Sequence, residues 1–280
     1  MQQIVNEFTD KLRECSLIIN DNFEVLSQIQ NSNERLNEIF RLMNEYISSS
    51  QNTNTNTTNM INNEQLGKKF EMAICNRYNT PYDGVYKYDM NLSQQLQPRL
   101  LKLLELFPYN LKHTASNGSR YDFTCRDNET IHLSAKTTKK DGKICPQVIG
   151  QPSRDKFCNF FEIDRSSTLE EIKRYIELNV KQMLNIYSQY TFDCPIIYYN
   201  QHFDKLLFIK LKNNINWNEH NITFKHLLEN KIWNESAVIR INNITIGEFQ
   251  VHNHRNCIKF RWNFEKILSL FNDNFEIIYL

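Results

Sequence analysis

The chain has 280 residues, with 33 Lys and Arg against 32 Asp and Glu and a net charge of +1. That length buries a sizeable core, as one large domain or one domain with an appendage, and the balanced charge excludes an overall basic field, so any nucleic-acid partner needs basic side chains gathered in a cleft. Seven scattered cysteines with no Cys-x-x-Cys pair argue against a zinc site or a disulfide framework and for a reducing intracellular compartment; no apolar run is long enough to span a membrane, and no signal-peptide pattern opens the sequence.

In chain order, residues 1–50 read as a helical arm or hairpin. Ile4, Phe8, Leu12, Cys15, Ile19, Phe23, Leu26 and Ile29 recur at helical steps, and Leu36, Phe40, Met43 and Ile47 do so again after Asn31-Ser32-Asn33. An oligomerising arm and a packed extra helical layer both fit. Residues 51–63 are rich in Asn and Thr, almost without apolar content, and read as a linker or exposed loop. The main domain is then 64–280.

Helical patterns are expected over 64–78, 93–107 and 168–189, the last with a stripe of Leu169, Ile172, Ile176, Val180, Leu184 and Tyr187. Strand-like runs cover 121–125 and 130–137, separated by the turn-forming Asp127-Asn128-Glu129, and read as a hairpin. Further strands are expected over 195–200, 205–211, 236–241, 244–252, 256–263 and 275–280, with a short helix over 264–271. Such a mixture indicates an α/β fold.

The hairpin carries the chemistry. Asp122 at the start of one strand and Lys136 near the end of the other are expected to project towards a common site. A carboxylate there can hold Mg²⁺, and an ammonium group can orient a water or stabilise developing charge on a phosphate. Just beyond lies a lysine-rich loop with Lys139, Lys140 and Lys143, followed by Gln147, Gln151 and Ser153, which suit phosphate and base contacts. A second polar hairpin, 247–262, offers Gln250, His252, His254, Arg255, Lys259 and Arg261 to a nucleic acid. Taken singly, each of these segments equally suits a solvated surface.

Asp122 followed by Ser134-Ala135-Lys136 resembles the PD-(D/E)XK nuclease core found in type II restriction endonucleases. The resemblance spans roughly 64–261 and is clearest over 118–153. It implies a restriction-endonuclease-like core with a central mixed sheet flanked by helices, and Mg²⁺-dependent, site-specific cleavage of double-stranded DNA, Mn²⁺ substituting for Mg²⁺. Asp122 becomes the central metal ligand, the Leu133 carbonyl or the Ser134 hydroxyl a second, and Lys136 the group that orients the attacking water. The sequence departs from the family at Ser134, where Asp or Glu is usual. Some members carry a neutral oxygen ligand there, and the family's preceding helix often supplies a glutamate, which points to Glu71. The resemblance also implies a symmetric homodimer on a palindromic site, with recognition residues on the C-terminal hairpin. Two rival readings share these features: a nucleic-acid-binding protein with a decayed site, and a repair or recombination nuclease that recognises DNA structure.

Overall fold

The computed structural model describes residues 63–115, 119–140 and 142–280. The expected arm over 1–50, and the expected linker apart from Asn63, lie outside the described residues. The first helix among the described residues, α1 (Asn63–Arg77), buries Leu66, Phe70, Ala73 and Ile74, a spacing that places them on one face. The helix expected over 93–107 is instead broken into α2 (Asn91–Leu96), a 3₁₀ turn at Pro98–Leu100 and α3 (Leu103–Leu106). Pro98 has no N–H to continue the ladder, so the chain restarts there.

Two sheets follow: a mixed sheet flanked by helices, as expected, and a second, antiparallel one that was not. The larger is mixed. Its strands are β1 (Leu111–His113), β2 (Phe123–Cys125), β3 (His132–Thr138), β5 (Ile196–Asn200), β6 (Lys205–Leu211) and β11 (Phe275–Tyr279), in the order β1-β2-β3-β5-β6-β11. Of its neighbours only β3 and β5 run parallel. The crossover between them contains α4 (Arg154–Phe160) and the long α5 (Leu169–Phe192). Thr168 starts α5 with a reciprocal capping box to Glu171, satisfying two backbone donors at the helix end.

The second sheet is antiparallel, β4-β10-β9-β8-β7, comprising β4 (Lys143–Ile144), β7 (Ile222–Phe224), β8 (Ser236–Ile241), β9 (Ile244–Val251) and β10 (Ile258–Asn263). The strands expected over 236–241, 244–252 and 256–263 therefore form a sheet of their own, while the last, β11, joins the mixed sheet. One of its links to the mixed sheet is the short step from β3 through Gly142 to β4. Gly142 has φ +63°, and an added Cβ would lie 2.7 Å from Glu265 Cγ, so the turn needs glycine.

The mixed sheet separates two apolar clusters, and strand alternation assigns its side chains. Leu133, Ile197 and Tyr199 pack with α1, whereas Ile196, Tyr198 and Leu207 pack with α5 and the second sheet. Because Lys136 is paired with Tyr198 and Ser134 with Ile196, both project on the α5 side.

Candidate active site

Asp122 immediately precedes β2, and the register of β2 on β3, Phe123 opposite Leu133, carries it opposite Ser134. Its Oδ2 accepts the Ala135 backbone N–H at 2.8 Å and Lys136 Nζ at 3.2 Å. Both side chains are mostly shielded but keep an opening to solvent, 18% for Asp122 and 17% for Lys136. The preceding residues hold this position firmly. Tyr121 stacks on His132 with centroids 3.7 Å apart and donates through its hydroxyl to Asp193 at 2.5 Å, while Arg120 pairs with Asp193 at 2.8 Å. Burial, and the Asp193 acceptor, push the Tyr121 hydroxyl up to about 12, so it remains a donor at neutral pH.

Ser134 lies on the same face but is fully buried, and its hydroxyl is engaged by Gln147 Nε2 and, at 3.6 Å, by Cys194 Sγ. Gln147, expected to contact DNA, is instead an interior residue, and its Oε1 is buried without a hydrogen-bond partner. Glu71 is not brought to the Asp122–Lys136 pair. It lies on α1, on the opposite side of the sheet, and its Oε2 meets His113 Nε2 at 3.1 Å, Lys68 Nζ at 3.0 Å and the Tyr82 hydroxyl at 3.5 Å. The Asp83 N–H donates to His113 Nδ1, which leaves Nε2 as the protonated nitrogen facing Glu71. Burial raises the Glu71 carboxyl, but the His113 and Lys68 contacts outweigh it and hold the group below its ordinary value.

The two basic segments meet in space. Lys139, Lys140, Lys143 and Arg261 line one cleft of about 270 Å³ with Thr138 and Gly142. Cys145 lies beside it. Burial raises its thiol, opposed by the positive charges of Lys259, Arg261 and Lys136, so the catalytic candidate and the C-terminal hairpin share one electrostatic neighbourhood. A separate cavity of about 420 Å³ opens beside His132, Asp193 and Lys210 and includes neither Asp122 nor Lys136. Gln151 and Arg255 are exposed; Ser153 caps α4 by accepting from the Lys156 N–H.

The chain is similar to the type II restriction enzyme CviAII of Paramecium bursaria Chlorella virus 1. The two are 45% identical over 218 residues, which is 78% of this chain and 63% of CviAII, so the chain spans less than two thirds of that relative's length. No family model matches the sequence, and no solved structure matches it significantly.

Beyond the residues singled out from the sequence, the structure adds Glu248. It sits directly opposite Arg261 across β9 and β10 and accepts from Arg261 Nε at 2.9 Å and also from its Nη2. Lys143 donates to the same carboxylate at 3.1 Å and Gln250 at 3.0 Å. Burial raises Glu248, yet Arg261 and Lys143 hold it below its ordinary value overall. Three residues expected to touch DNA are thus tied to one acid. Only the strand register reveals this, because nothing in the local sequence pairs 248 with 261. His252 and His254, likewise expected to face DNA, are turned towards Glu235.

Proposed function

We propose that the chain is a sequence-specific, double-strand DNA endonuclease of the type II restriction kind with a PD-(D/E)XK-like core, hydrolysing phosphodiester bonds with Mg²⁺ or Mn²⁺. The observation that carries this reading is the Asp122–Lys136 pair at 3.2 Å, formed where β2 begins beside β3 and close to a cleft of four basic side chains. The similarity to CviAII supports the reaction class.

The donors fit a hard cation. The Asp122 carboxylate, the Leu133 carbonyl, the Ser134 hydroxyl and the orphaned Gln147 Oε1 are all oxygens, the ligand type Mg²⁺ prefers. Asp122 is the principal ligand on this reading, and a bound Mg²⁺ would neutralise charge on the scissile phosphate and on the departing oxygen. Lys136, held by Asp122 before substrate arrives, orients the attacking water and stabilises negative charge on the phosphorane. Lys139, Lys140 and Lys143 bind backbone phosphates, and the exposed Arg255 reaches a base edge. A palindromic site calls for a symmetric homodimer, each copy cutting one strand. The six described cysteines are free thiols, which suits a reducing compartment.

Purified protein incubated with plasmid and phage DNA in Mg²⁺ is expected to give discrete fragments. Asp122→Asn and Lys136→Ala are expected to stop cleavage while leaving folding and DNA binding intact. Binding without cleavage in both Mg²⁺ and Mn²⁺ would select a decayed nuclease, and preferred cutting of branched DNA a repair or recombination enzyme.

A further inference from the structure

Outside the Asp122–Lys136 site, Glu235, His252 and His254 gather at one end of the antiparallel sheet. Glu235 precedes β8 and His252 follows β9. The antiparallel register, Ser236 opposite Gln250, makes these positions neighbours, and the Val251 N–H donates to the Glu235 carbonyl at 2.8 Å. His254 lies two residues further along, in the loop to β10. His252 Nδ1 is 3.0 Å from Glu235 Oε2, and His254 Nδ1 is 3.7 Å from Glu235 Oε1. One ligand atom from each of the three residues falls within 4.8 Å of the others.

The direction of the closest approach is more informative than its length. His252 Nδ1 is buried and makes no hydrogen bond, although a carboxylate oxygen lies 3.0 Å away. The ring nitrogen therefore does not point along the line to that oxygen. A buried imidazole nitrogen left without a hydrogen bond, gathered with two further ligand atoms within 4.8 Å, suits an ion held among the three. Zinc binds His nitrogen and carboxylate oxygen at about 2.0–2.2 Å in tetrahedral sites, which sets neighbouring ligand atoms roughly 3.3 Å apart. The observed separations of 3.0 and 3.7 Å bracket that value.

We infer that Glu235, His252 and His254 form a binding site for a divalent first-row transition metal ion such as Zn²⁺, with water completing the coordination. Two imidazoles and one carboxylate suit Zn²⁺, Co²⁺ or Ni²⁺, whereas Mg²⁺ favours an all-oxygen shell. The site uses no cysteine, so the scattered thiols that argued against zinc do not bear on it. Bound there, the ion ties the β9–β10 loop, with Arg255 in it, to the start of β8. The inference does not rest on the nuclease reading.

The test uses the full chain carrying Asp122→Ala, which removes the principal ligand of the proposed Mg²⁺ site. After chelator treatment, the protein is titrated with Co²⁺ and Zn²⁺ by visible absorption, calorimetry and thermal denaturation. One equivalent is expected to bind, without a thiolate charge-transfer band, and to raise the melting temperature, because an ion that binds only the native state stabilises it. His252→Ala and Glu235→Gln, each added to that background, are expected to weaken binding by about 100-fold or more, beyond the roughly 10–100-fold typical of losing an outer-shell partner. Circular dichroism checks that both variants fold. Absence of saturable binding, or binding unchanged in both variants, overturns the assignment and leaves an ion pair between the histidines and Glu235.

Discussion

Glu71 and Asp122 are both shielded carboxylates in contact with a lysine, but their positions separate their roles. Glu71 Oε2 faces donors from His113, Lys68 and Tyr82, with only 10% of the side chain exposed. Asp122 takes one backbone N–H and one ammonium on Oδ2, and among the described residues its Oδ1 makes no hydrogen bond. Both acids thus engage one oxygen, and what separates them is place: Glu71 is held by His113, Lys68 and Tyr82 on the far side of the sheet from Lys136, whereas Asp122 meets Lys136 at a solvent opening, where a metal can reach its other oxygen. Glu71→Ala is therefore expected to lower stability by about 1–3 kcal/mol, the cost of leaving buried polar partners unmatched, with the Mg²⁺ dependence of cleavage unchanged. Urea denaturation and a Mg²⁺ titration of the same variant separate the effects. A raised Mg²⁺ requirement with unchanged stability would return Glu71 to the metal site. Ser134→Ala removes a hydroxyl that is fully buried against Gln147, so it too is expected to act first on stability.

At the level of elements, legibility followed periodicity. α5 and most strands of the second sheet were readable because their apolar spacing repeats over several residues, and the β2–β3 hairpin because Asp127-Asn128-Glu129 is turn chemistry. β1, β4 and β7 are two or three residues long, too short for a period to register, and α4 is a single seven-residue helix. The division into two sheets was hidden for a different reason: strand partners are set by tertiary register, which local pattern does not encode. The same limit concealed the burial of Gln147, and the Glu248–Arg261 pair, though it too lies across one hairpin, needs the exact register over the long 252–257 loop, whereas the short Asp127-Asn128-Glu129 turn brought Asp122 and Lys136 together legibly. The Glu248 pairing also sets a pH response. Its carboxyl is held below its ordinary value, so its contribution to stability is present above the unfolded-state value and is lost as pH falls through the lower folded value. Acid titration by circular dichroism should show Glu248→Gln losing less stability than wild type over that window. An identical acid transition in the two proteins would mean that the pair contributes nothing to stability.

For the molecule as a whole, a net charge of +1 makes DNA binding depend on where cations gather, and Glu248 restrains two of them. Counterion release sets the expectation: each phosphate met by a cation steepens the slope of log affinity against log salt by about 0.9. Lys139→Ala and Lys140→Ala should each flatten that slope by roughly this amount, equally on cognate and scrambled duplexes. Glu248→Gln should do the opposite, freeing Arg261 and Lys143 to meet the backbone and tightening binding to every sequence. Arg255, exposed in the β9–β10 loop, behaves differently if it reads a base: Arg255→Ala should cost about 1–3 kcal/mol on the cognate duplex and little on the scrambled one. Arg261→Ala should instead weaken both duplexes alike, because its guanidinium is committed to Glu248 and reaches the nucleic acid only as part of the cleft's charge. Binding isotherms for these variants, collected over a salt series on both duplexes, measure the cleft and the loop independently. If Arg261→Ala loses affinity only on the cognate site, the arginine leaves Glu248 on binding and the C-terminal sheet itself reads sequence. If Glu248→Gln leaves the salt slope unchanged, the cleft does not carry the DNA backbone, and the phosphate path has to be sought elsewhere on the face around Lys136.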